Sequence, residues 1–159
     1  MKLPIAFLLA LSASPALAQS SLPDPRLTPG ALNPDVTQAT IQTTICVRGW
    51  TRTVRPPEEY TRRLKRVSIA QYGYADHRLS SYEEDHLISL SLGGHPTAPE
   101  NLWAEPLVAA DGWRAADKDA LEAVLPRLVC QGRVSLAAAQ AAIASDWETA
   151  FTQFVVNGE

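Results

Sequence analysis

The sequence predicts an α+β fold: a β-hairpin followed by a helix, with additional N- and C-terminal helices and one disulfide. Three observations carry this. Tyr82-Glu83-Glu84-Asp85-His86 runs into the partly alternating apolar stretch Leu87, Ile88, Leu90 and Leu92, which reads as a half-buried strand with Asp85 and His86 at its polar end. Gly93-Gly94 then gives a turn, and Asn101-Leu102-Trp103 opens a returning strand. On both sides of this hairpin apolar residues recur at helical spacing, and Cys46 and Cys130 are the 2 cysteines of a 159-residue chain.

Taken in order, Met1-Lys2, the apolar run Ile5 to Leu11 and the small-x-small triplet Ala16-Leu17-Ala18 predict a signal peptide over residues 1–18, cut after Ala18. No other stretch approaches the roughly 20 apolar residues of a membrane helix, so a secreted or periplasmic protein without a membrane anchor is expected. About 140 residues remain, enough for one domain with one core, read as a monomer. Gln19 to Pro34, rich in Pro, Ser and Asp, is read as an extended or disordered leader, 19–34. Val36 to Trp50 mixes Thr, Ile and Val with Gln and leaves helix and strand both open.

Pro56-Pro57-Glu58-Glu59 opens a helix, with proline in the first turn and acids against the N-terminal dipole, and Gly73 closes it near Tyr72. Tyr60, Leu64, Val67 and Gln71 mark its packing face, with the arginines around the other. Tyr74 to Ser81 is a polar connector. His77 within it, and His95 in the later loop, are read as surface residues without a role. The helix after the hairpin should start near Trp113 and run to about Val129, with Pro126 kinking it or ending its regular part early. Ser135 caps a last helix whose Leu136, Ile143, Trp147, Phe151 and Phe154 form one stripe. Trp50, Trp103 and Trp113 are expected to be buried.

Cys46 and Cys130, in an oxidising compartment, point to a disulfide, the alternative being two separate buried thiols. Such a bridge would stabilise the fold by roughly 4 kcal/mol in the chain-entropy model. Two cysteines without histidines at zinc-finger spacing do not make a structural zinc site.

His86 carries the candidate chemistry. An imidazole is substantially neutral at pH 7 and can take a proton from water. Asp85 is a hard oxygen ligand of the kind that suits Mg2+ or another divalent ion, which stabilises charge developing on a phosphate. Neighbours on a strand point to opposite faces, so a twist or bulge is needed to bring both to one site.

Asp85-His86, Gly93-Gly94 and Asn101-Leu102, with a helix to follow, resemble the HNH endonucleases of the ββα-metal, or His-Me finger, superfamily. The likeness covers residues 82–122 and makes 35–159 a single HNH nuclease-like domain. It implies His86 as general base, Asp85 as metal ligand, and Asn101 as the brace that spans the hairpin loop and orients the base. The family's third ligand comes from the helix as His or Asn, and here the helix has neither. Asp117 or Asp119 is the substitute, with Lys118 as a phosphate contact. One divalent metal ion is implied, Mg2+ first and Mn2+ or another as alternatives. The Thr-Ile-Cys…Gly-Trp segment, the Asp-His-Leu-Ile core and the Cys-x-Gly…Asp-Trp tail are also similar to small secreted bacterial proteins, which supports one unit rather than two.

The net charge of −3 gives no global argument for a polyanionic partner. The distribution is more informative: Arg48, Arg52, Arg55, Arg62, Arg63, Lys65 and Arg66 cluster against only Glu58 and Glu59. Arg62, Arg63 and Arg66 are the residues expected to follow a phosphate backbone without reading bases, against the plainer reading of a solvated helix face. The expected partner is nucleic acid, DNA ahead of RNA, with little sequence preference. An inhibitor protein is not readable from the chain. Two other classes compete: a secreted HNH-fold binding module without nuclease activity, and a hydrolase pairing Glu84 with Asp85, whose adjacent strand positions point apart. The chain contains no GxSxG, Walker loop, HExxH or dinucleotide fingerprint.

Overall fold

The computed structural model describes residues 19–158, so the signal-peptide reading of residues 1–18 lies outside the described residues. Among the described residues the architecture is mixed α+β, with a two-stranded antiparallel sheet, four α-helices and one disulfide. Strand β1 is Tyr82–His86 and β2 is Leu102–Pro106, registered with Tyr82 opposite Pro106 and His86 opposite Leu102. β1 is shorter than the apolar pattern implied. Leu87, Ile88, Leu90 and Leu92 are buried, but the chain leaves the sheet after His86, and Leu90–Leu92 is a 3-10 turn. A short apolar run reports burial without distinguishing a strand from another buried segment.

The segment left open between Val36 and Trp50 is mostly turns, with a 3-10 turn at Ile41–Thr43, and it leads into the short helix α1, Trp50–Val54. Helix α2, Glu58–Gln71, begins directly behind Pro56-Pro57. Its packing face is rotated from the expected one: Val67 is 50% exposed and Gln71 is exposed, while Ser68 and Ile69 are buried. α2 docks on the hairpin through Ile69, which enters a cluster with Tyr82 and Trp103, and through polar contacts beside it. Ser68 Oγ accepts the Ala104 amide at 2.7 Å. Lys65 Nζ donates to Leu79 O at 3.1 Å and Tyr82 O at 2.9 Å.

Helix α3, Ala115–Cys130, runs through Pro126 to Cys130, so its regular part is not ended early there. Leu121, Leu125, Leu128 and Val129 on it are buried, and that burial holds the last turn despite the missing amide. Helix α4, Leu136–Phe151, is capped as read, with Ser135 Oγ accepting Ala138 N at 3.2 Å. Leu136, Ile143 and Trp147 are buried in one core with Val36, Leu87, Ile88 and Leu121. A second cluster of Ile69, Tyr72, Tyr74, Tyr82 and Trp103 lies between α2 and the sheet. Cys46 and Cys130 are bonded, with Cα atoms 5.6 Å apart, tying the N-terminal segment to the end of α3.

Residues 19–34 are extended but not disordered. Ser21 O accepts Trp147 Nε1 at 2.9 Å, Thr28 Oγ1 accepts the Tyr72 hydroxyl at 2.7 Å, and Asn33 N donates to Gly93 O at 2.9 Å. Composition misses this order because it comes from backbone and side-chain hydrogen bonds to other parts of the fold, not from an apolar period of the segment itself. No helix among the described residues is long and apolar enough to cross a membrane.

Candidate functional site

The hairpin loop is the frame of the site. Asn101 is fully buried, and its side chain spans the loop: Oδ1 accepts Ile88 N at 3.0 Å, while Nδ2 donates to Ile88 O at 3.0 Å and His95 O at 3.1 Å. Gly94 makes this closeness possible, because a Cβ there would lie 1.7 Å from Ile88 O and 2.8 Å from Asn101 Nδ2. Gly93 has a φ of +76°, in the left-handed region that favours glycine. The Gly-Gly pair and the asparagine are thus parts of one closure.

That closure carries Pro96, whose carbonyl is 3.0 Å from His86 Nε2. A carbonyl can only accept, so Nε2 bears the proton and Nδ1 is left with its lone pair. Burial pushes the His86 imidazole below its usual pKa, opposed by the Pro96 hydrogen bond and by Asp85, while Arg55 and Lys118 add to the lowering. His86 is therefore neutral at pH 7. It lines a cleft of about 110 Å³ together with Thr51, Arg55, Asp85, Ser89, Ser91 and Glu122. Asp85 and His86, the last two residues of β1, both line this cleft.

Behind the cleft the acids converge on one amine. Lys118, 1% exposed, donates from Nζ to Asp85 Oδ2 at 2.5 Å, to Glu122 Oε1 and to His86 O at 2.9 Å, with Glu105 Oε2 at 4.0 Å. Burial works against the Asp85 charge, but the Lys118 ammonium beside it holds the carboxyl below its usual range. Burial pushes Glu122 up to about 8, with Lys118 opposing, and drives Glu105 well up. Burial likewise opposes the Lys118 charge, and the surrounding carboxylates overcome it and raise its pKa well above that of a free lysine.

The other expected residues fall as follows. Asp117 is committed to its own helix: Oδ2 accepts Arg114 N at 3.0 Å in a capping box. Asp119 is exposed, and Asp85 acts on it only as a neighbouring charge. Lys118, read as a phosphate contact, points inward to acids and has no amine at the surface. The helix acid that meets Asp85 is Glu122, and its signal was present in the sequence as the Lys118–Glu122 spacing of four on a helix. Glu105 was missed because it lies in an apolar strand, Leu102–Pro106. Arg62, Arg63 and Arg66 are exposed on α2, apart from the cleft, and Arg62 and Arg63 have Glu58 and Glu59 at 3.9 Å and 3.8 Å. Glu84 does not share a site with Asp85; both its carboxylate oxygens are buried without a hydrogen-bond partner.

Asp85 and Glu122 are the carboxylates a divalent ion would use, and Lys118 Nζ stands between them. With that ammonium in place the acids do not fit a metal ion, and among the described residues no three His, Cys, Asp or Glu side chains are arranged to hold one. Comparison with protein families, with curated proteins and with solved structures found no match to this chain.

Proposed function

We propose that the chain is an HNH-type phosphodiester hydrolase, cutting nucleic acid, DNA ahead of RNA, with little sequence preference. One observation carries the reading: a buried, neutral His86 whose Nε2 proton is held by Pro96, on a loop closed by Asn101 and Gly94, as a general base of a ββα-metal hairpin requires. His86 Nδ1 takes a proton from water as that water attacks phosphorus, the P–O3′ bond breaks, the 3′ oxygen leaves and takes a proton from solvent, and His86 returns its proton to solvent. Arg55, at the same cleft, is suited to hold the phosphate by charge-assisted hydrogen bonds. Asn101 acts through the loop. A divalent ion, which in HNH endonucleases would polarise the phosphate and steady the leaving oxygen, does not fit beside Asp85 while Lys118 is there.

Replacing His86 by Ala should cut hydrolysis of a plasmid or oligonucleotide by about 10²- to 10⁴-fold while folding and DNA binding persist. For wild type, kcat/KM should rise with pH as His86 loses its proton and level off below the ordinary histidine value of 6.5, the direction set by burial. A His86→Ala variant that cuts at the wild-type rate would overturn this reading. The second reading, a secreted HNH-fold binding module without activity, is favoured by the neutralisation of Asp85 by Lys118. Folded wild type that binds DNA but cuts neither DNA nor RNA, with or without added Mg2+ or Mn2+, would select it.

A further inference from the structure

The amine of Lys118 is saturated. An ammonium has three N–H donors, and Asp85, Glu122 and the His86 carbonyl take all three, with Glu105 behind them. The contacts join three elements: the end of β1, the edge strand β2 and the first turns of α3. A divalent ion entering between Asp85 and Glu122 would have to expel this ammonium. Expulsion would leave a buried lysine without counter-charge, and breaking a buried ion pair by removing one partner is strongly unfavourable.

We infer that Lys118 is the resident cation of this cleft, holding the place a metal would take, with Asp85 as its counter-ion and not a metal ligand. The inference rests on the nuclease reading only for the statement that a metal belongs at that place. Lys118 is then a positioning residue as well. Its bond to His86 O fixes the backbone of the base from the α3 side, as Pro96 fixes the ring from the loop side. Two acids, Asp85 and Glu122, touch the amine, and Glu105 Oε2 stands at 4.0 Å, so the amine separates carboxylates that would otherwise face one another. Removing the amine without removing the acids should therefore convert the space between them into a site for a hard cation.

The experiment is titration with Mn2+, followed by electron paramagnetic resonance and calorimetry, on wild type, Asp85→Asn, Lys118→Ala, Lys118→Met and the double variant Lys118→Ala/Asp85→Asn. Wild type is expected to show no Asp85-dependent Mn2+ site. Lys118→Ala should gain one site, at least about tenfold tighter than any wild-type binding, and the double variant should lose it again. Lys118→Met keeps the length of the side chain and serves where the alanine variant is unfolded by circular dichroism. A single Mn2+ bound by wild type and abolished by Asp85→Asn would overturn the inference, since the metal would then displace the lysine. A folded Lys118 variant that gains no Mn2+ would overturn it too, because the acids would not constitute a metal position. The readout is metal occupancy, so an inactive protein leaves this result standing, and failure here leaves the nuclease reading standing.

Discussion

Asn101 shows how one side chain sets a loop. Replacing it by Ala leaves Ile88 N and Ile88 O without partners in a buried place, and His95 O without one in a half-buried place. At about 1–3 kcal/mol for each orphaned group, the loss should be about 3 kcal/mol or more, read as a lower urea midpoint; a variant as stable as wild type would remove Asn101 from its bracing role. Glu84 offers a second single-residue test. Burial, opposed by Lys65, pushes its carboxyl from 4.5 up to about 8, and neither oxygen has a partner. The folded state thus keeps a proton that the unfolded state releases near 4.5, so stability is full below 4.5 and falls as pH rises toward 8. Glu84→Gln cannot ionise and should flatten that fall, gaining about 1–3 kcal/mol over wild type at pH 8 in paired denaturant titrations. Glu105 and Glu122 keep part of the slope, and an unchanged slope would contradict the assignment to Glu84.

Helix α2 presents arginine to solvent and polar groups to the hairpin. Arg62 and Arg63 lie near Glu58 and Glu59 at 3.9 Å and 3.8 Å, exposed pairs worth about 0–1 kcal/mol that do not commit the guanidinium groups. If these side chains follow a phosphate backbone, Arg62→Ala, Arg63→Ala and Arg66→Ala together should weaken DNA binding and flatten its salt dependence by about one unit of slope per lost contact, with the fold unchanged. Fluorescence anisotropy across a salt series decides it, and an unaltered slope returns α2 to an ordinary solvated face. The elements whose signals are local were legible in the chain: the Pro-Pro-Glu-Glu start of α2, the Ser135 cap of α4 and the glycine pair behind β1. The face α2 buries was not, because it combines Ile69 with the polar contacts of Ser68 Oγ and Lys65 Nζ, and an apolar period is blind to hydroxyl and ammonium groups. The end of β1 at His86 was hidden for a related reason, since Leu87 to Leu92 are buried whether or not they pair.

At the scale of the molecule, the N-terminal strap closes over the hairpin loop from outside, while the disulfide ties the segment after it to the end of α3. Gly30 N donates to Glu100 O at 2.9 Å, His95 N to Ala31 O at 2.8 Å, and Leu32 bridges Gly94. These bonds reach the same turn that Asn101 closes from within, so the geometry of His86 depends on residues more than fifty positions before it. Nothing in Gln19 to Pro34 announces this, because each contact needs its distant partner in place before it exists. The candidate pair Asp85-His86 was visible as a dipeptide, whereas the amine that neutralises Asp85 comes from a helix whose rotation only packing determines. The strap makes a clear physical prediction. Native-state hydrogen exchange should find the amides of Gly30, Asn33 and His95 protected together and opening as one unit, because each is bonded across the strap-to-loop junction. Deleting residues 19–34 should lower the melting temperature and expose the His95 amide, and with it loosen the loop that orients His86. Exchange of Gly30 and Asn33 at the rate of an unstructured peptide would return the segment to a disordered leader and leave the hairpin to be held by Asn101 alone.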